Sequence, residues 1–294
     1  MTQILNGKEL AAQIKDEIAN RVRHFTMEGQ RPPHLAAILV GDDGASQTYV
    51  ANKEKSSQEV GFISSVYRFP ATTTEAELME SIEFLNNDDE VDGFIVQLPL
   101  PKHIDERRVI NAINPNKDVD GFSPINIGRM VLGEEAFLPA TPKGIVTLLQ
   151  RYGIETEGKH CVVDGRSNIV GTPMATLMSR KALNSTVTLC HSKTADLPSI
   201  TRQADILIVA IGKPEFVTAD MVKEGAVVVD VGIHRIADST KKNGFRLLGD
   251  VKHGEVDAKC SWVTPVPGGV GPLTIVSLLE NTFDAYLRSK NLKK

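Results

Sequence analysis

The chain has 294 residues, 41% hydrophobic and 24% charged, with a formal net charge of −4. That length suits two domains of ordinary size, and the composition is that of a soluble globular protein with enough apolar material for real cores. The acidic balance, the absence of a Lys/Arg block and the 5% aromatic content argue against a nucleic-acid partner, which would need cations for phosphates and rings for stacking.

The three cysteines, Cys161, Cys190 and Cys260, are odd in number, far apart and without metal-ligand spacing, which reads as a reducing compartment; Cys161 and Cys190, in or beside apolar runs, read as buried inert thiols. No metal site is expected. Met1–Asn6 shows no basic start followed by an apolar stretch, and no apolar run approaches a membrane span. A cytoplasmic protein with no membrane contact is expected.

Apolar runs alternate with helical patterns along the chain. Leu10, Ile14, Ile18 and Val22 recur at helical spacing and predict a long first helix. Leu35–Val40 reads as a buried strand, followed by a helix-compatible stretch from Ala45 to about Glu59. A strand near Ile63–Phe69, a helix over Glu75–Leu85 and a strand at Gly93–Val96 complete a first series. A second begins near Thr141 with a helix to about Tyr152. It continues through a strand at His160–Val163, a helix through Met174 and Leu177, and a strand at Thr186–Leu189. A short helix near Leu197–Ala204 and strands at Ile206–Ala210 and Val227–Val231 follow. Strand–helix alternation implies parallel sheets covered by helices. The expected fold is therefore α/β, with two α/β domains and a boundary near residue 140. A last helix, about Leu273–Leu287, could return to the first domain.

Between the His160–Val163 strand and its helix lies Gly165-Arg166-Ser167-Asn168-Ile169-Val170-Gly171. A strand-to-helix turn with glycines is where a dinucleotide pyrophosphate rests on backbone N–H groups. The spacing is not Gly-x-Gly-x-x-Gly, and an ordinary βα turn fits this stretch equally well. The next strand ends Leu189-Cys190-His191-Ser192-Lys193, without the carboxylate that usually bonds the ribose of NAD. Ser192, Lys193 and Arg166 suit a 2′-phosphate, which favours NADP, although Lys193 could equally be a solvated loop charge. Val209-Ala210-Ile211-Gly212 and Val231-Gly232-Ile233 end further strands and could line a cofactor crevice.

In the first series, Tyr49 and Lys53 stand four residues apart, one turn apart on one helix face. Gln97 closes a strand at the edge where open α/β sheets bind ligands. Asp118-Val119-Asp120-Gly121-Phe122 offers carboxylates, or simply a turn. Thr264–Thr274 holds three prolines and three glycines, either a ligand-approaching loop of fixed shape or a rigid linker.

Five stretches, Ser46–Lys53, Val96–Pro101, Lys117–Phe122, Gly165–Gly171 and Pro265–Pro272, together closely resemble the bifunctional methylenetetrahydrofolate dehydrogenase/cyclohydrolase family and span nearly the whole chain in that family's order. The resemblance implies a catalytic folate-binding domain of residues 1–140 plus 273–294, and a Rossmann-type NADP-binding domain of 141–272. It also implies a cleft between them and a homodimer formed through the NADP domains. It implies Lys53 as the main catalytic group, supported by Tyr49 and Gln97, with Asp120 holding the pterin ring. Pro267, Gly268 and Gly269 join Tyr49, Gln97 and Asp120 as substrate contacts. Gly165, Arg166, Ser167, Ser192, Ile233 and Thr274 are the implied cofactor contacts. Asp164 departs from the family, which usually has an apolar residue there. A short-chain dehydrogenase also uses a Tyr-x-x-x-Lys pair, but its nucleotide turn precedes that pair, the reverse of the order here. A folate- or nucleotide-binding protein without activity would have little need of Lys53, Gln97 and Asp120 together.

The implied chemistry is NADP-dependent oxidation of methylenetetrahydrofolate to the methenyl cation, then hydrolysis to formyltetrahydrofolate, within one-carbon metabolism and purine biosynthesis. The first step is largely one of positioning. The second needs a base for water and an acid for the departing nitrogen. Lys53 can be that base only as the neutral amine, which burial and a cationic substrate both favour.

Overall fold

The computed structural model describes residues 1–241, 244–290 and 292. In chain order the elements are β1 (Gln3–Ile4), α1 (Gly7–Met27), β2 (His34–Val40), α2 (Gly44–Glu59), β3 (Ile63–Phe69), α3 (Glu75–Asn87), β4 (Gly93–Val96), α4 (Glu106–Ala112), α5 (Pro124–Leu132) and α6 (Ala140–Arg151). Then come β5 (His160–Asp164), α7 (Gly171–Ser179), β6 (Thr186–Cys190), α8 (Leu197–Thr201), β7 (Ile206–Val209), β8 (Val227–Asp230), β9 (His234–Ala237), β10 (Phe245–Leu248), α9 (His253–Val256), β11 (Trp262–Val263) and α10 (Val270–Ser289). The chain packs as two units, Met1–Ala11 with Thr141–Thr274, and Ala12–Ala140 with Ile275–Lys294.

The unit of Ala12–Ala140 holds a three-stranded parallel sheet in the order β3-β2-β4. The central strand is apolar and buried from Leu35 to Val40 because a parallel sheet is covered on both faces. α3 starts at a capping box, with Thr74 and Glu77 satisfying each other's backbone N–H groups. Its Leu78, Ile82 and Leu85 pack with Ala36, Ile38, Phe94 and Val96 in one core. The later part of α10 belongs to this unit. There Asn281 Nδ2 donates to the carbonyls of Val119 and Leu138 at 2.8 and 2.9 Å, and Phe283 meets Phe25 edge-on.

The other unit is built on a six-stranded parallel sheet, β1-β11-β8-β7-β5-β6. Val162, Leu207, Val209, Val228, Val251 and Val263 lie in its core. Residues 1–11 pack with this unit, and not with the rest of 1–140 as expected, because β1 pairs with β11 in register Gln3↔Trp262. Lys8 N–H also donates to Gly268 O at 2.8 Å, and Gly7 packs so closely on the Gly269 carbonyl that no Cβ would fit. α10 begins at Val270, three residues earlier than its apolar pattern suggests. Pro272 falls in the first turn, where its missing N–H costs nothing. Among the described residues no helix is long and apolar enough to cross a membrane. The three cysteines are free and buried, and burial pushes the Cys161 and Cys260 thiols up to about 12 and that of Cys190 to about 11.

Candidate active site

α2 begins where the Asp43 carboxylate accepts from Ser46 N–H at 2.8 Å. Ser46, Val50, Lys53 and Ser57 then recur at helical spacing and form its buried face. Lys53 is therefore only 8% exposed, while Tyr49, one turn earlier, is 40% exposed. Burial of its ring pushes the Tyr49 phenol above its ordinary pKa. Lys53 Nζ donates to Gln97 Oε1 at 3.2 Å. Gln97 follows β4, its backbone N–H bonded to Ile38 O at 2.9 Å, and its own Nε2 donates to Leu98 O at 2.7 Å. The structure thus brings Lys53 and Gln97 together at the carboxyl end of the sheet. A buried lysine ordinarily pairs with a carboxylate. Here the amine meets a neutral amide oxygen.

Asp118 and Asp120 have separate tasks. Asp118 is buried beside β4, bridged to Phe94, and accepts from Phe122 N–H (3.2 Å), Ser123 N–H (2.8 Å) and Asn126 Nδ2 (2.9 Å). Burial raises its pKa to about 6, with those hydrogen bonds pulling the other way. The turn's donors go to Asp118, not to Asp120. Gly121 has φ +74, and a Cβ there would lie 2.6 Å from Leu138 C, so only glycine closes the turn. Burial also pushes the Asp120 carboxyl above its ordinary value, and the Lys53 charge acts in the opposite sense.

In the other unit, the turn after β5 explains its glycines. Gly165 has φ +121 and leaves no space for a Cβ against Ala210 O, and Gly171 packs just as closely on Gly165 O. Gly165 N–H donates to Cys190 O at 3.1 Å, joining this turn to the one after β6. Ser167 Oγ accepts from Val170 N–H at 3.2 Å, and α7 starts without a side-chain cap on Val170. The second turn is fixed from inside, since His191 N–H donates to Thr194 Oγ1 at 2.9 Å and Lys193 N–H to His191 Nδ1 at 3.1 Å. Ser192 and Lys193 are left exposed, as is Arg166 on the adjoining turn.

The remaining expected residues have partners within the same unit. Gly268 has φ +105, and a Cβ on Gly269 would lie 2.7 Å from Pro265 O, so backbone conformation requires the first glycine and packing the second. The peptide bonds before Pro99 and Pro267 are cis. Thr274 Oγ1 lies 2.9 Å from Thr141 Oγ1, and Ile233 is exposed just past β8. Sequence reading missed Asp230 and Asp250, buried carboxylates at this sheet's edge. Their signal was an acid beside a glycine, in Asp230-Val231-Gly232 and Gly249-Asp250.

Residues 5–120 match the model of the tetrahydrofolate dehydrogenase/cyclohydrolase catalytic domain, and residues 139–290 that of the family's NAD(P)-binding domain. The chain belongs to the tetrahydrofolate dehydrogenase/cyclohydrolase family. It is 61% identical over 285 residues to the bifunctional protein FolD of Cytophaga hutchinsonii, covering 96% of this chain and 98% of that one. Its fold matches the bifunctional methylenetetrahydrofolate dehydrogenase/cyclohydrolase FolD from Campylobacter jejuni with a TM-score of 0.92, 48% identity and 99% of both chains covered. It matches the Trypanosoma brucei dehydrogenase–cyclohydrolase, solved with NADP and an inhibitor, with a TM-score of 0.94, 36% identity and 98% of both chains covered. Tyr49, Lys53, Gln97 and Asp120 fall in the stretch matched by the catalytic-domain model. Gly165, Arg166, Ser167, Ser192, Ile233 and Thr274 fall in that matched by the NAD(P)-binding model.

Proposed function

We propose that the chain oxidises methylenetetrahydrofolate to methenyltetrahydrofolate with NADP and then hydrolyses the methenyl form to formyltetrahydrofolate. The observation that carries this reading is the buried Lys53 amine held by Gln97 at 3.2 Å. Gln97 holds the amine in one position, as a base that must reach a water molecule requires. Water adds to the cationic methenyl carbon and gives up a proton to Lys53. The same group returns that proton to the departing nitrogen as one C–N bond breaks, and the hydroxyl formed from water releases its remaining proton to solvent as the formyl C=O forms. Gln97 fixes the direction of the amine without adding charge. Tyr49 stacks on the pterin or donates to it, and Asp120 accepts from its amino and ring N–H groups.

The donor set of the other unit fits a phosphorylated dinucleotide. Gly165 allows close backbone approach at the start of α7, and Arg166, Ser192 and Lys193 lie exposed on adjoining turns without a carboxylate among them. Gly165, Arg166, Ser167, Ser192, Ile233 and Thr274 would hold the cofactor. NADP held there would supply the hydride acceptor for oxidation of the methylene carbon. On this reading folate chemistry belongs to the unit of Ala12–Ala140 and cofactor binding to that of Thr141–Thr274. Pro267, Gly268 and Gly269 are further substrate contacts.

We also read the protein as a cytoplasmic homodimer that supplies formyl groups to purine biosynthesis. Support for the location comes from its three free cysteines, and for the dimer from β6, an edge strand with Leu189 exposed, open to pairing. One absorbance assay tests the activity, following methenyltetrahydrofolate formation with NADP and with NAD and its later decay. Failure to form the methenyl product with either cofactor would refute the reading.

A further inference from the structure

β7 and β8 are adjacent parallel strands, and beyond their carboxyl ends lie two turns, Ala210–Lys213 and Val231–Ile233. Neither turn is regular structure, so its backbone N–H groups need partners from elsewhere. One fully buried carboxylate supplies two of those in the first turn and touches the second. Asp250 Oδ2 accepts from Ile211 N–H at 2.7 Å and Gly212 N–H at 2.9 Å. Its Oδ1 lies 2.7 Å from Nε2 of His234, the residue that follows the second turn. A Cβ on Gly232 would come within 2.5 Å of the Asp250 carboxyl carbon, so the second turn is shaped around this side chain. Asp230 in turn anchors Asp250. Its carboxylate accepts from Gly232 N–H (2.9 Å), Asp250 N–H (3.0 Å) and Val251 N–H (2.9 Å).

The bonds of the Asp250 carboxylate go to residues beyond the strand ends. The strands themselves are held by their ladder and by the apolar core of Leu207, Val209, Val228 and Val251. Asp250 therefore governs where the turns sit more than whether the sheet forms. We infer that Asp250, acting with His234, is a positioning residue for the dehydrogenase step, setting the turn that presents Ile233 to the cofactor. This rests on the reading above that the unit binds NADP.

The test compares Asp250→Ala, Asp250→Asn and His234→Ala for the KM for NADP, for dehydrogenase kcat and for hydrolysis of methenyltetrahydrofolate, which needs no hydride acceptor. Asp250→Ala is expected to raise the KM for NADP at least tenfold and to leave hydrolysis within twofold of wild type. Asp250→Asn keeps an acceptor for Ile211 and Gly212 and should restore the KM to within about threefold. His234→Ala frees only the second turn and should raise it by roughly three- to tenfold. If Asp250→Ala does not fold, His234→Ala carries the test, because it keeps the carboxylate. An unchanged KM for NADP in His234→Ala, or a parallel loss of both activities in Asp250→Ala, overturns the inference. Ser192→Asp separates it from the underlying reading. If Ser192→Asp weakens NADP binding while His234→Ala does not, only the positioning role falls. If Ser192→Asp leaves NADP binding intact, the assignment of the cofactor site falls first.

Discussion

Lys53 and Gln97 come from a helix and a strand end 44 residues apart in sequence, yet the amine donates to the amide oxygen at 3.2 Å. Gln97 cannot swing away freely, because its own Nε2 is tied to Leu98 O at 2.7 Å. The pair is thus preorganised before substrate arrives. Replacing Lys53 by Met keeps much of the stem's volume and removes the proton carrier. Lys53→Met should lower hydrolysis of methenyltetrahydrofolate by about 10²-fold or more, the usual scale of general base catalysis. The protein should stay folded and still bind NADPH. Hydrolysis near the wild-type rate, after subtraction of the spontaneous reaction, would remove Lys53 from the mechanism.

On the proposed reading, cofactor choice turns on the exposed group after β6. Ser192, Lys193 and the neighbouring Arg166 present a hydroxyl and two cations where NAD sites carry an acid. The wild-type protein should therefore show a higher kcat/KM with NADP than with NAD. Ser192→Asp should weaken NADP binding by setting a negative charge against the 2′-phosphate, with a smaller effect on NAD. A wild-type preference for NAD in the same assay would contradict this reading of the strand end.

Much of this architecture is legible in the sequence, and the exceptions share a cause. Ile63–Phe69 and Gly93–Val96 are strands with the expected bounds, the second because a short apolar run between turn residues has few other uses, the first because Ile63, Val66, Tyr67 and Phe69 favour a strand despite Ser64, Ser65 and Arg68 among them. β1 and β11, two residues each, are too short for any periodicity to register, although together they decide which unit holds Met1–Ala11. The strands of the β9–β10 pair and α4 carry no readable pattern for similar reasons, being four and seven residues long. For the candidate site, Tyr49 and Lys53 could be placed on one helix, but nothing local says that Lys53 is buried and Tyr49 is not. That follows from which face α2 turns inward. The Gly165–Gly171 turn reads as weak in sequence because its glycines answer to the carbonyls of Ala210 and Gly165 itself, contacts made only after folding. The buried carboxylates at Asp230 and Asp250 gave only the weak sign of an acid near a glycine, because an acid at a strand end or in a loop is usually solvated.

Asp120 separates a turn former from a ligand anchor. Asp118 already accepts the turn's N–H groups, so the turn does not need the Asp120 carboxylate. A carboxylate can accept two pterin N–H donors at once, each worth roughly 1.5–3 kcal/mol. Asp120→Ala should therefore weaken folate binding at least tenfold and depress both activities, with NADP binding nearly intact. Asn suits a turn as well as Asp does. An unchanged folate Kd in Asp120→Asn would show that the carboxylate is not the anchor.

Asp164 gives the pH prediction. It closes β5, is 2% exposed, and its Oδ2 has no hydrogen-bond partner among the described residues. Burial, with the charge of Asp250 added, raises its pKa from 3.8 to about 6. The unfolded chain loses this proton near its ordinary value, while the folded chain keeps it until about pH 6. Between these values the folded state binds more protons, so stability falls as pH rises through the window and stays lower above it. A shift of this size costs about 3 kcal/mol once both states are ionised. Asp164→Asn is close in shape and cannot ionise. It should be more stable than wild type at pH 8 by an amount of that order, and the advantage should shrink by roughly half at pH 5, where the folded wild type still holds its proton. Urea unfolding of the two proteins at both pH values measures this directly. A stability difference that does not change with pH would mean that Asp164 stays ionised in the fold, and that some neighbour compensates its charge.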